Sequence, residues 1–164
     1  MPLDFFTGDS LPDFQMPSVA LRNEEKSEKV LSPEMLRGTP FVLWIYPKDQ
    51  TSGCTIEARE FAQLYQQLQG EGVEVLGLSR DSIRSHVNFL RAQDLPFTLL
   101  SDAGGAWMKS HGLIYEAKMY GKPVTKVSRT TFFIDADGIV RRIWENVTPA
   151  GHGTQVLDAV KQLK

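Results

Sequence analysis

Six consecutive apolar residues, Phe41-Val42-Leu43-Trp44-Ile45-Tyr46, constrain this chain more than any other stretch. The run has strand length and is rich in aromatic and β-branched types, which predicts a strand buried on both faces. A polar stretch follows at once, Pro47-Lys48-Asp49-Gln50-Thr51-Ser52-Gly53-Cys54. Beyond it Ile56, Phe61, Leu64, Tyr65 and Leu68 recur at helical spacing until Gly70 and Gly72 stop the pattern. Strand, loop and helix together predict that Cys54, the only cysteine, sits at the mouth of a sheet where a helix begins.

That placement has a chemical consequence. The register puts Cys54 at the helix cap and Glu57 three residues on, where a capping box carries its acid. A thiol there faces unpaired backbone N–H groups and the positive end of the helix dipole, which favour the thiolate. The plain alternative is a buried structural cysteine, since free cysteine is among the most buried residue types.

The rest of the chain reads as one α/β domain over residues 1–164. Val19 to Arg22 predicts a short strand, Asn23 to Glu28 a charged hairpin or turn, and Ser32 to Leu36 a helical turn. Val73 to Ser79 is a second strand. Asp81 or Ser82 then caps a helix from about Ile83 to Ala92, with Val87, Leu90 and Arg91 spaced for one face. Pro96 to Leu100 gives another strand, and a helix around Gly104 to His111 follows. Gly112 to Val127 reads as a mixed loop whose Lys118, Lys122 and Lys126 form a solvated face. Thr130 to Ile134 and Ile139 to Trp144 flank Asp135-Ala136-Asp137-Gly138, a hairpin signal. The last helix carries Val156, Leu157, Val160 and Leu163.

A formal charge of −2 gives no electrostatic reason to expect nucleic acid or an anionic membrane as partner. No apolar run approaches membrane-span length, and Met1 to Phe6 lack the features of a secretory signal. One cysteine cannot form an internal disulfide, so cytoplasm is the expected location.

Pro47, Thr51 and Cys54 reproduce a Pro-xxx-Thr-xx-Cys pattern, and around them Tyr46-Pro47-Lys48-Asp49, Gly53-Cys54-Thr55 and Glu57-Ala58 make up one string from Tyr46 to Ala58. With Gly8-Asp9-xx-Leu11-Pro12-Asp13-Phe14 and Ser128-Arg129-Thr130-Thr131-Phe132-Phe133-Ile134-Asp135, the chain resembles the peroxiredoxins, in their bacterioferritin-comigratory or Q-type branch. The resemblance implies a thioredoxin-like fold, a central mixed sheet flanked by helices, with an N-terminal β-hairpin extension. It implies reduction of hydrogen peroxide and organic (alkyl) hydroperoxides through a sulfenic acid at Cys54. Thr51 would offer its hydroxyl to the peroxide, Arg129 would hold thiolate and peroxide oxygens, and Pro47 would shield the pocket. N–H groups of Gly53 and Cys54 would complete the hydrogen bonds, Glu57 would orient Arg129, and Tyr46 reads as core or pocket wall. A monomer or weak homodimer is expected.

The family often carries a second, resolving cysteine. This chain has Arg59 five residues after Cys54 and Leu90 at the position on the next helix. An external thiol (glutathione, glutaredoxin or thioredoxin) is therefore expected to reduce Cys54. No cofactor is called for. Competing chemistries fit worse. A zinc site lacks a ligand cluster, because His86, His111 and His152 are widely spaced and read as surface or helix-end residues. A Cys–His hydrolase would need one of them against Cys54. The serious rival is a non-catalytic redox sensor that passes Cys54 oxidation to a partner.

Overall fold

The computed structural model describes residues 2–163. In chain order the elements are β1 (Met16–Arg22), β2 (Glu25–Leu31), β3 (Phe41–Ile45), α1 (Ser52–Gly70), β4 (Glu74–Ser79), α2 (Ile83–Gln93) and β5 (Thr98–Ser101). After a short 3₁₀ turn come α3 (Ala106–Ser110), β6 (Ile114–Met119), β7 (Lys122–Val127), β8 (Thr130–Ile134), β9 (Val140–Trp144) and α4 (His152–Leu163).

The unbroken apolar run has no solvent face, and all of β3 is buried. Its side chains alternate between two apolar clusters. Val42, Trp44 and the following Tyr46 enter one; Phe41, Leu43 and Ile45 enter the other. The first cluster is closed by α1, α2 and α4 through residues such as Phe61, Leu68, Phe89, Leu90, Val156 and Val160. The second is closed by the N-terminal segment, with Leu3, Phe5, Leu11 and Phe14, and by Trp107 and Met108 of α3. The sheet has the order β2-β1-β5-β4-β3-β8-β9. β3, β4 and β5 run parallel, while β8 and β1 join them antiparallel on either side. The loops that leave β3 and β4 therefore meet at one edge of the sheet, where open α/β sheets hold their chemistry. Among the described residues, no helix is long and apolar enough to cross a membrane.

Several local expectations change. The N-terminal hairpin is longer than the four-residue strand predicted, and it joins the main sheet through Ser18 opposite Leu100. Its two-residue turn uses Asn23 and Glu24 at positive φ, a geometry usually signalled by Asn-Gly. Residues 114–127 are not a mixed loop but a separate two-stranded ribbon, β6 with β7. Only Val127 of its strands is buried, so neither strand shows the alternation by which a half-buried strand is read. Lys118, Lys122 and Lys126 are exposed on it. The Ser32–Leu36 stretch forms turns, not a helix. In α2 the buried face is His86, Phe89 and Leu90; of the expected Val87, Leu90 and Arg91, Leu90 is buried, Val87 packs partly buried against the same cluster, and Arg91 is exposed. Ser82 is its cap, accepting from the Ser85 N–H at 3.1 Å.

Gly77 shows how tightly the central strands meet. It lies opposite Trp44 on β3 and Leu99 on β5. A Cβ there would come within 2.5 Å of Leu99 and 2.9 Å of the Trp44 ring. Gly77→Ala is expected to destabilise the fold by about 1–3 kcal/mol through overpacking. A urea midpoint equal to that of the wild type would show that this contact relaxes freely.

Candidate active site

The loop from β3 to α1 is held by buried polar groups. Tyr46, stacked on Trp44 with centroids 4.1 Å apart, donates its hydroxyl to Asp49 Oδ1 at 2.6 Å. Burial, reinforced by the Asp49 charge, raises the Tyr46 phenol well above its ordinary range. Asp49 Oδ2 accepts from Ser85 Oγ at 2.8 Å and lies 2.7 Å from His86 Nδ1. The Asp49 N–H donates to Asp81 Oδ2, and Ser79 Oγ donates to the same oxygen. The other ring nitrogen of His86 lies 2.8 Å from the Leu100 carbonyl, which can only accept, so Nε2 carries a proton.

This network fixes where α1 begins. Thr51 is the cap residue, not Cys54, and its own hydroxyl donates to the Lys48 carbonyl at 2.9 Å. Cys54 occupies the third helical position, and Glu57 lies one turn deeper than a capping box requires. Only lone pairs of Thr51 Oγ remain to accept from a ligand. The N–H groups of Gly53 and Cys54 still belong to the first turn, which has no acceptor within the helix.

The Cys54 sulfur is also more enclosed than the sequence suggests. It has no solvent exposure and belongs to the cluster of Tyr46, Ala58 and Phe61. Around it Thr51 and Ser52 are exposed and Gly53 is half-buried. Arg129, between β7 and β8, lies across that turn. A Cβ at Gly53 would stand 2.7 Å from Arg129 Nη2, so only glycine lets the guanidinium come this close. Arg129 Nη1 donates to Glu57 Oε1 at 2.5 Å.

Glu57 is 1% exposed in its side chain, and burial pushes its carboxyl up to about 7 despite the opposing pull of Arg129. Its second oxygen and the Trp44 indole N–H are both buried without a full hydrogen-bond partner among the described residues. The indole favours the ionised carboxylate without completing a bond. Pro47 and Arg129 line a cleft of about 590 Å³ whose other walls include Lys48, Arg80, Tyr115 and Lys126.

His111 and His152 do lie at helix ends, after α3 and at the start of α4, but His152 is buried there and His86, inside α2, is neither surface nor helix-end. His152 contacts Thr131 Oγ1 at 2.8 Å, and burial lowers its ring to about 4. His111 is the partly exposed one, 2.9 Å from Asp4. None has Cys54 as a hydrogen-bond partner, which leaves a Cys–His hydrolase without its base. The expected lack of a ligand cluster is also corrected. Asp49, Asp81 and His86 bring ligand atoms within 4.8 Å of one another, because the loops after β3 and β4 converge. Both Asp49 oxygens, Asp81 Oδ2 and both His86 nitrogens already hold hydrogen bonds, so a cation would have to break the anchor of the loop.

Sequence reasoning missed Asp49 and His86 as the anchors. The signal was present: His86 falls three and four residues before Phe89 and Leu90, on the apolar face of α2.

A mixed sheet carrying a lone sulfur on the first turn of the helix after its central strand, beneath a carboxylate-held arginine, defines a thiol enzyme of the thioredoxin-like class. The AhpC/TSA family model matches residues 7–143. Peroxiredoxin Bcp of Xanthomonas campestris is 42% identical over 120 residues, covering 73% of this chain and 75% of that protein. A solved peroxiredoxin Q variant from Xylella fastidiosa superposes with a TM-score of 0.84 at 31% identity, covering 97% of each chain. The solved bacterioferritin comigratory protein of Xanthomonas campestris, described for its alkyl peroxide reduction activity, gives 0.79 at 34% identity over 91% of this chain and 90% of that one. The chain belongs to the AhpC/TSA family, in its Bcp and peroxiredoxin Q branch, and is a thiol-dependent peroxidase.

The two shifted groups predict opposing pH slopes. Between about pH 4.5 and 7 the native state keeps a proton on Glu57 that the unfolded chain releases, so this group's contribution falls as pH rises. Between about 4 and 6.5 the unfolded chain protonates His152 while the native state does not, so its contribution rises with pH. The two offset each other where the windows overlap. Glu57→Gln should make stability climb with pH there, and His152→Gln should make it decline, each by up to ~1.4 kcal/mol per pH unit relative to wild type. Urea unfolding at pH 5.0, 5.7 and 6.4 measures this; parallel profiles for all three proteins would contradict the assignment.

Proposed function

We propose that the chain reduces hydrogen peroxide and organic hydroperoxides at Cys54, and that a thiol from another molecule completes the cycle. The observation that carries this reading is the Arg129 guanidinium tied to Glu57 and laid against Gly53, the residue before the sole thiol. The thiolate attacks the distal oxygen, the O–O bond breaks, and the sulfur becomes a sulfenic acid while the alkoxide or hydroxide leaves and takes a proton. Charge shifts onto oxygen as that bond breaks, so fixed donors aimed at the leaving oxygen lower the barrier. Arg129 and the N–H groups of Gly53 and Cys54 are placed to act as those donors. Thr51, whose proton is already given to Lys48, acts as the acceptor that orients the peroxide O–H. Pro47 keeps bulk water from the first turn.

Burial of the sulfur suits a small oxidant that passes Thr51 and Gly53. The relative described for alkyl peroxide reduction supports organic hydroperoxides as substrates too. The positions where relatives of this type often carry a second cysteine are here Arg59, bonded to Gln93 at 3.3 Å, and Leu90, buried beside the same cluster as Cys54. A sulfenic acid at Cys54 has no second thiol in this chain to meet, so it waits for an external thiol or proceeds to sulfinic acid under excess peroxide.

Stopped-flow oxidation by hydrogen peroxide tests the reading. Arg129→Ala should lower the bimolecular rate roughly 10²–10³-fold, the loss typical of one charge-stabilising donor, with an unchanged circular dichroism spectrum. An unchanged rate would remove Arg129 from the mechanism. Mass spectrometry after peroxide plus glutathione should show a mixed disulfide at Cys54; its absence would argue against external resolution.

A further inference from the structure

The cleft beside Arg129 has a charge pattern that hydrogen peroxide does not require. Four cations line it, Lys48, Arg80, Lys126 and Arg129, and no carboxylate does. Arg129 is tied to Glu57, but among the described residues Lys48, Arg80 and Lys126 have no carboxylate within 4.0 Å. Three uncompensated cations in one cleft stand out in a chain whose net charge is −2. A second hollow shares Arg80, Tyr115 and Thr125 with it and is lined by one further cation, Lys109, and one carboxylate, Glu116. A concave site of about 590 Å³ falls within the roughly 300–1,000 Å³ common for small-molecule sites. Clustered charge of one sign over low-dielectric walls draws in ligands of the other sign.

We propose that this cleft is the docking site of the reductant, and that the reductant is a low-molecular-weight thiol bearing carboxylates. The inference deepens the reading above and rests on it. With one thiol in the chain, each turnover needs a second molecule to bring a thiol to a sulfur that solvent does not touch. A small thiol fits a cleft of this volume. Its carboxylates meet Lys48, Arg80 and Lys126, while its sulfur is directed past Arg129 and Gly53. The step balances: the thiolate sulfur attacks the Cys54 sulfenic sulfur, an S–S bond forms, the S–O bond breaks, and hydroxide leaves as water. A second thiol then attacks the mixed disulfide, which regenerates Cys54 and releases the disulfide of the small thiol.

Wild-type protein is first oxidised with one equivalent of hydrogen peroxide, and formation of the sulfenic acid tests the peroxidase reading separately. Reduction is then followed with glutathione, with its diethyl ester and with 2-mercaptoethanol, the rates being compared per thiolate. Glutathione is expected to outrun both others at least tenfold, and to lose that advantage between 50 and 500 mM salt (about the range over which screening becomes severe). Lys126→Glu should slow glutathione at least tenfold more than it slows 2-mercaptoethanol. Equal rates for acid and ester, or a salt-independent rate, would overturn the assignment. So would thioredoxin reducing the sulfenic acid while glutathione does no better than 2-mercaptoethanol. A charge preference confined to the oxidation step, with a carboxylate-bearing hydroperoxide outrunning tert-butyl hydroperoxide, would give the cleft to the oxidant instead. Failure to form any sulfenic acid would overturn this inference and the peroxidase chemistry together.

Discussion

The 2.7 Å contact between Asp49 and His86, in a place with no access to water, is the interaction on which the site's geometry depends. The loop between β3 and α1 is polar and short, and nothing in its composition fixes its path. Asp49 supplies that path by accepting from Tyr46, just after β3, and from Ser85 on α2, and by its contact with the His86 ring. A buried pair of this kind contributes little net stability over a well-packed apolar substitute, yet removing one partner is expensive. Its value here is positional. It ties the start of α1 to the end of β3 and to α2, and so decides which N–H groups surround the sulfur.

The second constraint is the approach of Arg129 to the helix backbone. A guanidinium normally stays hydrated; this one is drawn inward by a carboxylate that has itself lost its water. The same desolvation makes Glu57 reluctant to ionise, so the strength of its hold on Arg129 varies near neutral pH. Side chain and backbone are matched. Glycine at position 53 leaves the gap, and Arg129 fills it.

The sequence carried the central strand, the helix behind it and the identity of the sulfur, because each follows from a local pattern of apolar spacing or from a short run of residues. It carried Arg129 and Glu57 only through likeness to a known family, since nothing local tells one surface arginine from another. Three things were illegible for physical reasons. The exact cap depends on the loop's tertiary anchor, so Thr51 and Cys54 could not be told apart. His86 is polar by type and buried by context, 37 residues from the carboxylate that explains it. The β6–β7 ribbon lacks the alternating pattern because it meets the second apolar cluster only at its base, through Ile114 and Val127, while most of its other residues are exposed.

That ribbon stands apart from the catalytic sheet. It is paired only to itself, and its strands bury one residue, yet Tyr115, Thr125 and Lys126 of the cleft wall belong to it. A two-stranded ribbon contributes little to global stability by itself, and this one leans on the second apolar cluster through Ile114 and Val127. Its outward positions Tyr115, Thr125 and Lys126 are exposed, so exchanging them there leaves the packing of the main sheet largely untouched.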